Sequence, residues 1–440
     1  MCEELSYWAS HDERLIGLVG RDRTDDDYLW IVLARDQNGS FRCANLQTDF
    51  PSAPRAEEAL LKEIKRVVDA GEVDTYGVQG DETNAPLDLL RVPTDFQPDK
   101  LHPYFRMVLD DPCREPARAV LKEIGPWLAP QDPHLVKEFQ TKGFDQRLWE
   151  IYLWAALREF NLDVELLEAP DFRCTGPGID FCVEATTAAP SEKGALAEHP
   201  KPQTIGETTD FLNNYMPMKY SSALLSKLNK VDHLGRRYWD RENSERKPFV
   251  LAIADFHKPT EKKEIGSMTY TQSALWQYLY GSRVYWEMED DMLVIKPEKI
   301  AAHRYGEKEI PPGFFDLPEA KNVSAVLFSN AGTLAKFDRM GVVAGFGAKG
   351  YRYHRVGLRY DPNPNAFMGR PFAEEVTAEG YEENWSQEIQ IFHNPNAAHP
   401  LLFEWLLGAT HHYYKDGLLK SHAPVDAILS SFTLLMKITD

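Results

Sequence analysis

The sequence predicts an α/β fold in which a mixed sheet core is flanked by helices, preceded by a small α+β module and followed by a C-terminal extension. Three observations carry this expectation. Helical periodicity around 144–160 and 220–231 alternates with strand-like runs at 164–167, 179–186 and 248–256, the order a mixed sheet requires. The 440 residues exceed what one hydrophobic core serves, so about three domains, or two large ones, are expected. The composition, 43% hydrophobic, 12% aromatic and 27% charged, is that of an ordinary folded chain and sets aside disordered, collagen-like and disulfide-stapled architectures.

The first segment, 1–128, reads as the α+β module with a proline-rich connection. Alternating apolar residues from Asp27 to Ala34, a turn at Asn38-Gly39 and the run Phe41–Leu46 make a hairpin. Ala56 to Ala70, with Leu60, Leu61, Ile64, Val67 and Val68 at helical spacing and Gly71 after them, makes an amphipathic helix to cover it. Prolines then cluster over 86–134, which predicts an irregular connection with one helix near Glu115–Ile124.

The core is expected over 129–310: a helix from Phe144 to Phe160, a strand Val164–Leu167, a turn at Thr175-Gly176-Pro177-Gly178, a strand Ile179–Thr186, a helix around Tyr220–Val231, and a buried strand Pro248–Phe256. The extension, 311–440, adds a strand at Val323–Ser329 and an aromatic helix near Leu401–Tyr414. The glycine-rich stretch Gly341–Gly350 lacks the G-K-[ST] ending of a phosphate loop and reads as a flexible loop.

No apolar run approaches the roughly 20 residues of a spanning helix, and the first residues lack the basic start and apolar stretch of a signal peptide. Five cysteines at wide spacing, without a C-x-x-C pair, argue against a disulfide framework or zinc ribbon and fit a reducing, cytoplasmic setting with no membrane. A formal charge of −19 opposes coating of nucleic acid by the whole surface, so any such contact is local. Self-association stays open.

The informative stretch is APDFRCTGPGIDFCVEATTA, residues 169–188. With 175–178 as the loop, Asp171 faces Cys182, and alternation puts Asp171, Arg173, Asp180, Cys182, Glu184 and Thr186 on one side. Asp171 and Glu184 become diagonal neighbours about 5 to 8 Å apart, a separation at which two carboxylates can share a hard divalent cation. Asp180 lies about 13 Å along the strand from Glu184 and belongs to the rim. Upstream, Glu150 stands inside the apolar run of its helix, where a buried carboxylate needs a cation or a donor. Downstream, the helix around KYSSALLSKLNK offers Lys219, Lys227 and Lys230, the last two sharing a face.

This order of features resembles the PD-(D/E)XK nuclease superfamily, the restriction-endonuclease-like fold: a helix with an acid, a Pro-Asp strand, an acidic strand, a basic helix and a buried strand. The likeness covers roughly 140–260. It implies a metal-dependent nuclease in which Asp171 and Glu184, with Glu150 as a further ligand, hold Mg²⁺, or Mn²⁺ in its place, against DNA or RNA at a local site. The lysine that the family carries two residues after the second acid is missing, because this chain has Glu184-Ala185-Thr186. The role passes to Lys227, with Lys219 as second choice, or the site is degenerate and the domain serves as a nucleic-acid or protein interaction module. More loosely, the whole chain is similar to uncharacterised bacterial proteins that add terminal segments to such a core.

Structural alternatives stand beside these assignments. Pro170-Asp171 can simply open a turn, Glu150 can pair with Arg147 or Arg158, and Lys227 and Lys230 can form a solvated face. A rival chemistry, a histidine-held zinc or iron, draws on His393, His399, His411 and His412, which lack H-E-x-x-H or comparable spacing.

Overall fold

Alternation of apolar and polar side chains builds a four-stranded antiparallel sheet at the start of the chain, from β1 (Cys2–Ala9), β2 (Leu15–Asp22), β3 (Tyr28–Arg35) and β4 (Phe41–Phe50). Helix α1 (Ala53–Asp69) buries Ala56, Leu60 and Val67 against Leu15, Val19, Trp30 and Val32 of that sheet. The Asn38-Gly39 turn lies outside the described residues. The structure, a computed structural model, describes residues 2–10, 14–36, 41–74, 87–93, 96–128, 132–188, 196, 200, 202–256, 272–289, 292–347, 349–363, 366 and 369–438. It comprises two compact units, Met1–Asp88 with Gly125–Trp127, and Leu89–Ile124 with Leu128–Asp440. Residues 89–124 therefore belong with the larger unit, not with the module expected over 1–128.

The proline-rich connection is more regular than expected. It holds α2 (Pro103–Asp110) and α3 (Glu115–Ile124), and α4 (Leu135–Gln140) follows. Pro103 opens α2 and Pro116 sits in the first turn of α3, positions where a missing N–H costs nothing because no intrahelical partner exists there. Clustered prolines marked helix starts rather than the absence of helices.

The larger unit is mixed α/β, a large mixed sheet flanked by helices. Its elements are α5 (Phe144–Glu159), β5 (Asp163–Leu166), β6 (Phe172–Gly176), β7 (Ile179–Ala188), α6 (Ile205–Asp210), α7 (Met216–Leu228), β8 (Phe249–Asp255) and α8 (Gln272–Tyr280). They continue through β9 (Ser282–Glu289), β10 (Met292–Lys299), β11 (His303–Tyr305), β12 (Lys308–Ile310), β13 (Ala325–Phe328) and α9 (Leu334–Val343). The chain ends with β14 (Tyr351–Arg359), β15 (Arg370–Glu375), β16 (Gln390–His393), β17 (Thr410–Lys415), β18 (Leu418–His422) and β19 (Ile428–Lys437).

Among the described residues the main sheet has eight strands in the order β18-β17-β16-β13-β8-β7-β6-β5. β7, β8 and β13 run parallel, while β5-β6-β7 and β13-β16 are antiparallel. β8 is buried along its whole length, as a central strand covered on both faces must be. Helices α7 and α8 pack Tyr220, Leu224, Leu275 and Leu279 against the side of the sheet that carries Phe249, Leu251 and Ile253. α5 runs beside β7, and its buried Trp149 donates its indole N–H to the Ala252 carbonyl at 3.3 Å.

Three further expectations change. Residues 311–440 supply four of the eight strands, so they complete the sheet rather than extend a finished core. The aromatic run 401–414 is a single-turn 3₁₀ helix at Phe403–Leu406 followed by β17, which pairs in parallel with β16. Periodicity alone does not separate a short apolar strand from a buried helix, and here the pairing decides. Gly341 lies within α9 rather than in a loop, and a glycine is required there since α3 presses so close that a Cβ would stand 2.4 Å from the Pro116 carbonyl oxygen. No described helix is long and apolar enough to cross a membrane.

α9 also anchors a buried ion network. Lys336 donates to Glu383 at 2.7 Å and to Glu388 at 3.1 Å, Arg339 grips Glu383 through Nε and Nη2 at 2.9 and 2.8 Å, and Arg355 donates to Glu388. Burial alone would raise both carboxyls, but the surrounding cations win: Glu383 is held well below the usual range and Glu388 is pushed down to about 2.

Candidate active site

The site begins with a turn. Pro177 fixes φ near −65° and Gly178 takes a positive φ of 74°, the pattern of a type II turn, so the chain reverses in two residues. The pairs are Gly176 with Ile179, Cys174 with Phe181, Arg173 with Cys182 and Phe172 with Val183. The expected register is therefore off by two, since the loop is two residues and not four. A two-residue shift conserves the faces, because side chains alternate with period two. It replaces the diagonal arrangement with a direct one: continuing the register sets Asp171 opposite Glu184.

Two reciprocal bonds lock that arrangement. The Asp171 N–H donates to Glu184 Oε2 at 3.2 Å, and the Ala185 N–H donates to Asp171 Oδ2 at 2.7 Å. Glu184 is 2% exposed, so its remaining oxygen needs donors. Glu184 Oε1 accepts from Lys227 Nζ and, at 2.6 Å, from the Tyr238 hydroxyl. Of the two candidate lysines it is Lys227, in the last turn of α7, that makes this bond; Lys219 lies buried two turns earlier on the same helix. Thr186 is on the Glu184 side of β7 and carries no charge.

Glu150 enters from α5. Its Oε1 accepts from Gln146 at 2.9 Å and its Oε2 from Arg147 at 2.7 Å, and Gln146 also donates to the Ala185 carbonyl at 3.4 Å. The pairing with Arg147 weighed from sequence is thus present, but Arg147 is shared with Asp132 and with Glu138 at 2.7 Å. Four carboxylates, Asp132, Glu138, Glu150 and Glu184, have Arg147 or Lys227 as ion-pair partner, and a fifth, Asp171, feels Lys227 through its charge alone.

That imbalance appears in the proton affinities. Burial raises Asp171 well above the usual aspartate value, the charges of Glu184 and Glu150 push the same way, and Lys227 and the Ala185 N–H only partly oppose them. Burial also raises Glu150, with Arg147 opposing and Glu184 adding to the rise. Lys227 goes up despite burial, because Glu184 and Asp171 hold its proton.

Oxygen donors, burial and mutual repulsion are what a hard divalent cation relieves. Among the described residues no three His, Cys, Asp or Glu side chains converge as a ready metal cage. Mg²⁺ does not demand one, since it is commonly held by one or two carboxylates with water and substrate phosphate filling its shell. Asp171 and Glu184 therefore fit such an ion, with Glu150 beside them.

Asp180 is occupied away from this cluster, pairing with Arg173 at 3.0 Å and Lys247 at 3.1 Å. The histidines do not form a rival centre. His393 Nε2 meets His411 Nδ1 at 2.8 Å, His411 Nε2 meets the Leu406 carbonyl at 3.0 Å, and His412 bonds Ser421 and Gln390 through its two ring nitrogens. Both nitrogens of His411 and His412 are thus occupied within the protein, burial pushes His393 and His412 down to about 3, and His399 is exposed.

Sequence reasoning missed Tyr238, Gln146 and Arg241. The run Arg236-Arg237-Tyr238-Trp239-Asp240-Arg241 was its signal, an aromatic pair set among arginines before the buried strand. Comparison of the chain with protein-family models, with curated proteins and with solved structures finds no match.

Proposed function

We propose that the protein is a metal-dependent nuclease that hydrolyses phosphodiester bonds of DNA or RNA, with a core of the PD-(D/E)XK, restriction-endonuclease-like type. The observation that carries the reading is the direct apposition of half-buried Asp171 and buried Glu184, with Lys227 on the second acid. Asp171 and Glu184 would hold Mg²⁺ or Mn²⁺, with Glu150 as the third carboxylate. When bound, the ion supplies an activated water and offsets charge growing on the phosphate.

The chain's own residues prepare that task. The two reciprocal backbone bonds aim the carboxylates at each other, and the Tyr238 hydroxyl fixes the Glu184 rotamer. Gln146 ties Glu150 to the backbone of β7. Lys227 brings a positive charge to the second acid from a helix, the role that Thr186 cannot fill. A lysine so placed can hold a water or a phosphate oxygen through its remaining N–H groups.

Incubation of the purified protein with plasmid, single-stranded DNA and RNA tests the reading, with Mg²⁺, with Mn²⁺ and with chelator. Metal-dependent cleavage lost in both Asp171→Ala and Glu184→Ala is the expected result. Cleavage that survives both substitutions sinks the assigned site. Strand binding without cleavage under every metal condition favours the interaction module instead.

A further inference from the structure

Between α7 and β8, residues 227–247 hold seven Lys or Arg against four Asp or Glu, in a chain of formal charge −19. Several of these cations are neutralised locally. Arg236 pairs with Asp232 at 3.0 Å, Arg246 with Glu245 at 3.8 Å and Lys247 with Asp180 at 3.1 Å. Arg237 makes no ion pair among the described residues, but its guanidinium donates to the Leu228 carbonyl at 2.6 Å and lies 5.6 Å from the centroid of a different ring, that of Trp239.

Lys230 and Arg241 differ. Neither makes an ion pair among the described residues, and each stands 5.6 Å from the centroid of the same ring, that of Tyr238. Their charged ends are therefore no further apart than twice that distance. Arg241 Nη1 donates to the Ala169 carbonyl at 3.3 Å, two residues before Asp171, and its Nε is buried without a hydrogen-bond partner. The Tyr238 hydroxyl meanwhile donates to Glu184. One tyrosine thus ties two cations to the acid pair. A ring face holds a cation without cancelling its charge, so both remain available to an anion.

We propose that Lys230 and Arg241 form a cradle for the phosphodiester backbone of a nucleic-acid strand, seating it beside Asp171 and Glu184. The inference rests on the nuclease reading and gives its site a substrate-positioning surface. Successive phosphates of one duplex strand rise about 3.4 Å along the axis, so two cations at this spacing reach neighbouring phosphates. Local cations resolve the conflict between an acidic chain and an anionic substrate: the strand is held by a few contacts and not by the protein's overall field. Tyr238 then has two jobs in one side chain, orienting an acid with its hydroxyl and two cations with its ring.

Equilibrium binding in chelator separates this surface from catalysis. Fluorescein-labelled single-stranded DNA, duplex DNA and RNA are titrated by anisotropy over a salt series. The expected result is binding whose logarithm falls linearly with the logarithm of salt, with the slope reduced by about 1 in each of Lys230→Ala and Arg241→Ala. Arg241→Lys keeps the slope, because the charge stays. Lys230 is exposed, so Lys230→Glu gives a clean reading if Arg241→Ala fails to fold, and it should weaken binding more than Lys230→Ala. The arm with the tightest binding names the strand. Wild-type binding with an unchanged slope in the lysine and arginine variants overturns the cradle and leaves the nuclease reading standing. No binding of any strand by wild-type protein overturns the nuclease reading beneath it.

Discussion

The larger unit contains two clusters of cations and carboxylates with opposite balances, the first buried and the second reaching out to an exposed Glu138. Around α9, Lys336, Arg339 and Arg355 face Glu383 and Glu388, and cations are in excess. Around β6 and β7, Asp132, Glu138, Glu150 and Glu184 share Arg147 and Lys227, and Asp171 adds a fifth carboxyl with no ion pair among the described residues. The first cluster lowers Glu383 and Glu388, whereas the second raises Glu150 and Asp171. A self-neutralised network finishes its business in folding, whereas an acid-rich cluster keeps an unmet demand for positive charge. Structural ion-pair networks perturb carboxyls too, so of the two clusters it is the acid-rich one that stands as the functional-site candidate.

The sharpest way to break this contrast is activity. If Asp171 and Glu184 hold the ion as proposed, Asp171→Ala or Glu184→Ala takes several kcal/mol from the transition state, and cleavage rates should fall about 10³-fold or more. Glu383→Gln should leave cleavage chemistry untouched in protein that folds. A rate assay on both variants that gave equal losses would erase the distinction.

Stability should answer in the reverse order. Glu383→Gln leaves Lys336 and Arg339 buried without their main partner and should cost about 3–5 kcal/mol in urea unfolding. A smaller loss follows for Tyr238→Phe, which deprives the buried Glu184 of a donor, about 1.5–3 kcal/mol.

The smallest effect has the opposite sign. Asp171→Asn retains an acceptor for the Ala185 N–H while removing a crowded charge, and should stabilise the fold at neutral pH by about 0.5–2 kcal/mol. The folded chain holds the Asp171 proton more tightly than the unfolded one. This contribution is therefore fully present below the unfolded value, about 3.9, and is lost as pH rises through the raised folded value. The gain from Asp171→Asn should grow over that window. Glu388 behaves conversely: its contribution is present above the unfolded value, about 4.3, and lost as pH falls toward about 2. Unfolding series across pH for Asp171→Asn and Glu388→Gln would show both slopes, and parallel slopes would refute the contrast.

Much of this was legible in the sequence. Long periodic segments such as 144–160 and the continuous apolar run 249–255 announce themselves, because their burial pattern is local. That Asp171 and Glu184 share a face followed from strand alternation, which survives a register error of two, although they were expected as diagonal and not direct neighbours. What escaped depended on distant partners. The run 401–414 becomes a strand only beside β16, and Gly341 is explained only by Pro116 pressed against it. Lys227 stood ahead of Lys219 as the substitute lysine, but the bond it makes to Glu184 depends on how α7 rotates against β7, which spacing does not encode. Tyr238 reaches Glu184 across 54 positions, a contact that spacing does not encode.

The tight bend at Pro177-Gly178 has an evolutionary corollary. Because the two acids stand on separate arms of one hairpin, the bend acts as a ruler between them. Lengthening it by a single residue would swing one acid to the far side of the ribbon, whereas lengthening it by two would leave both on the same side. Working relatives should therefore differ at that bend by even numbers of residues, and a variant with one inserted glycine should keep its sheet yet lose the convergence of its acids.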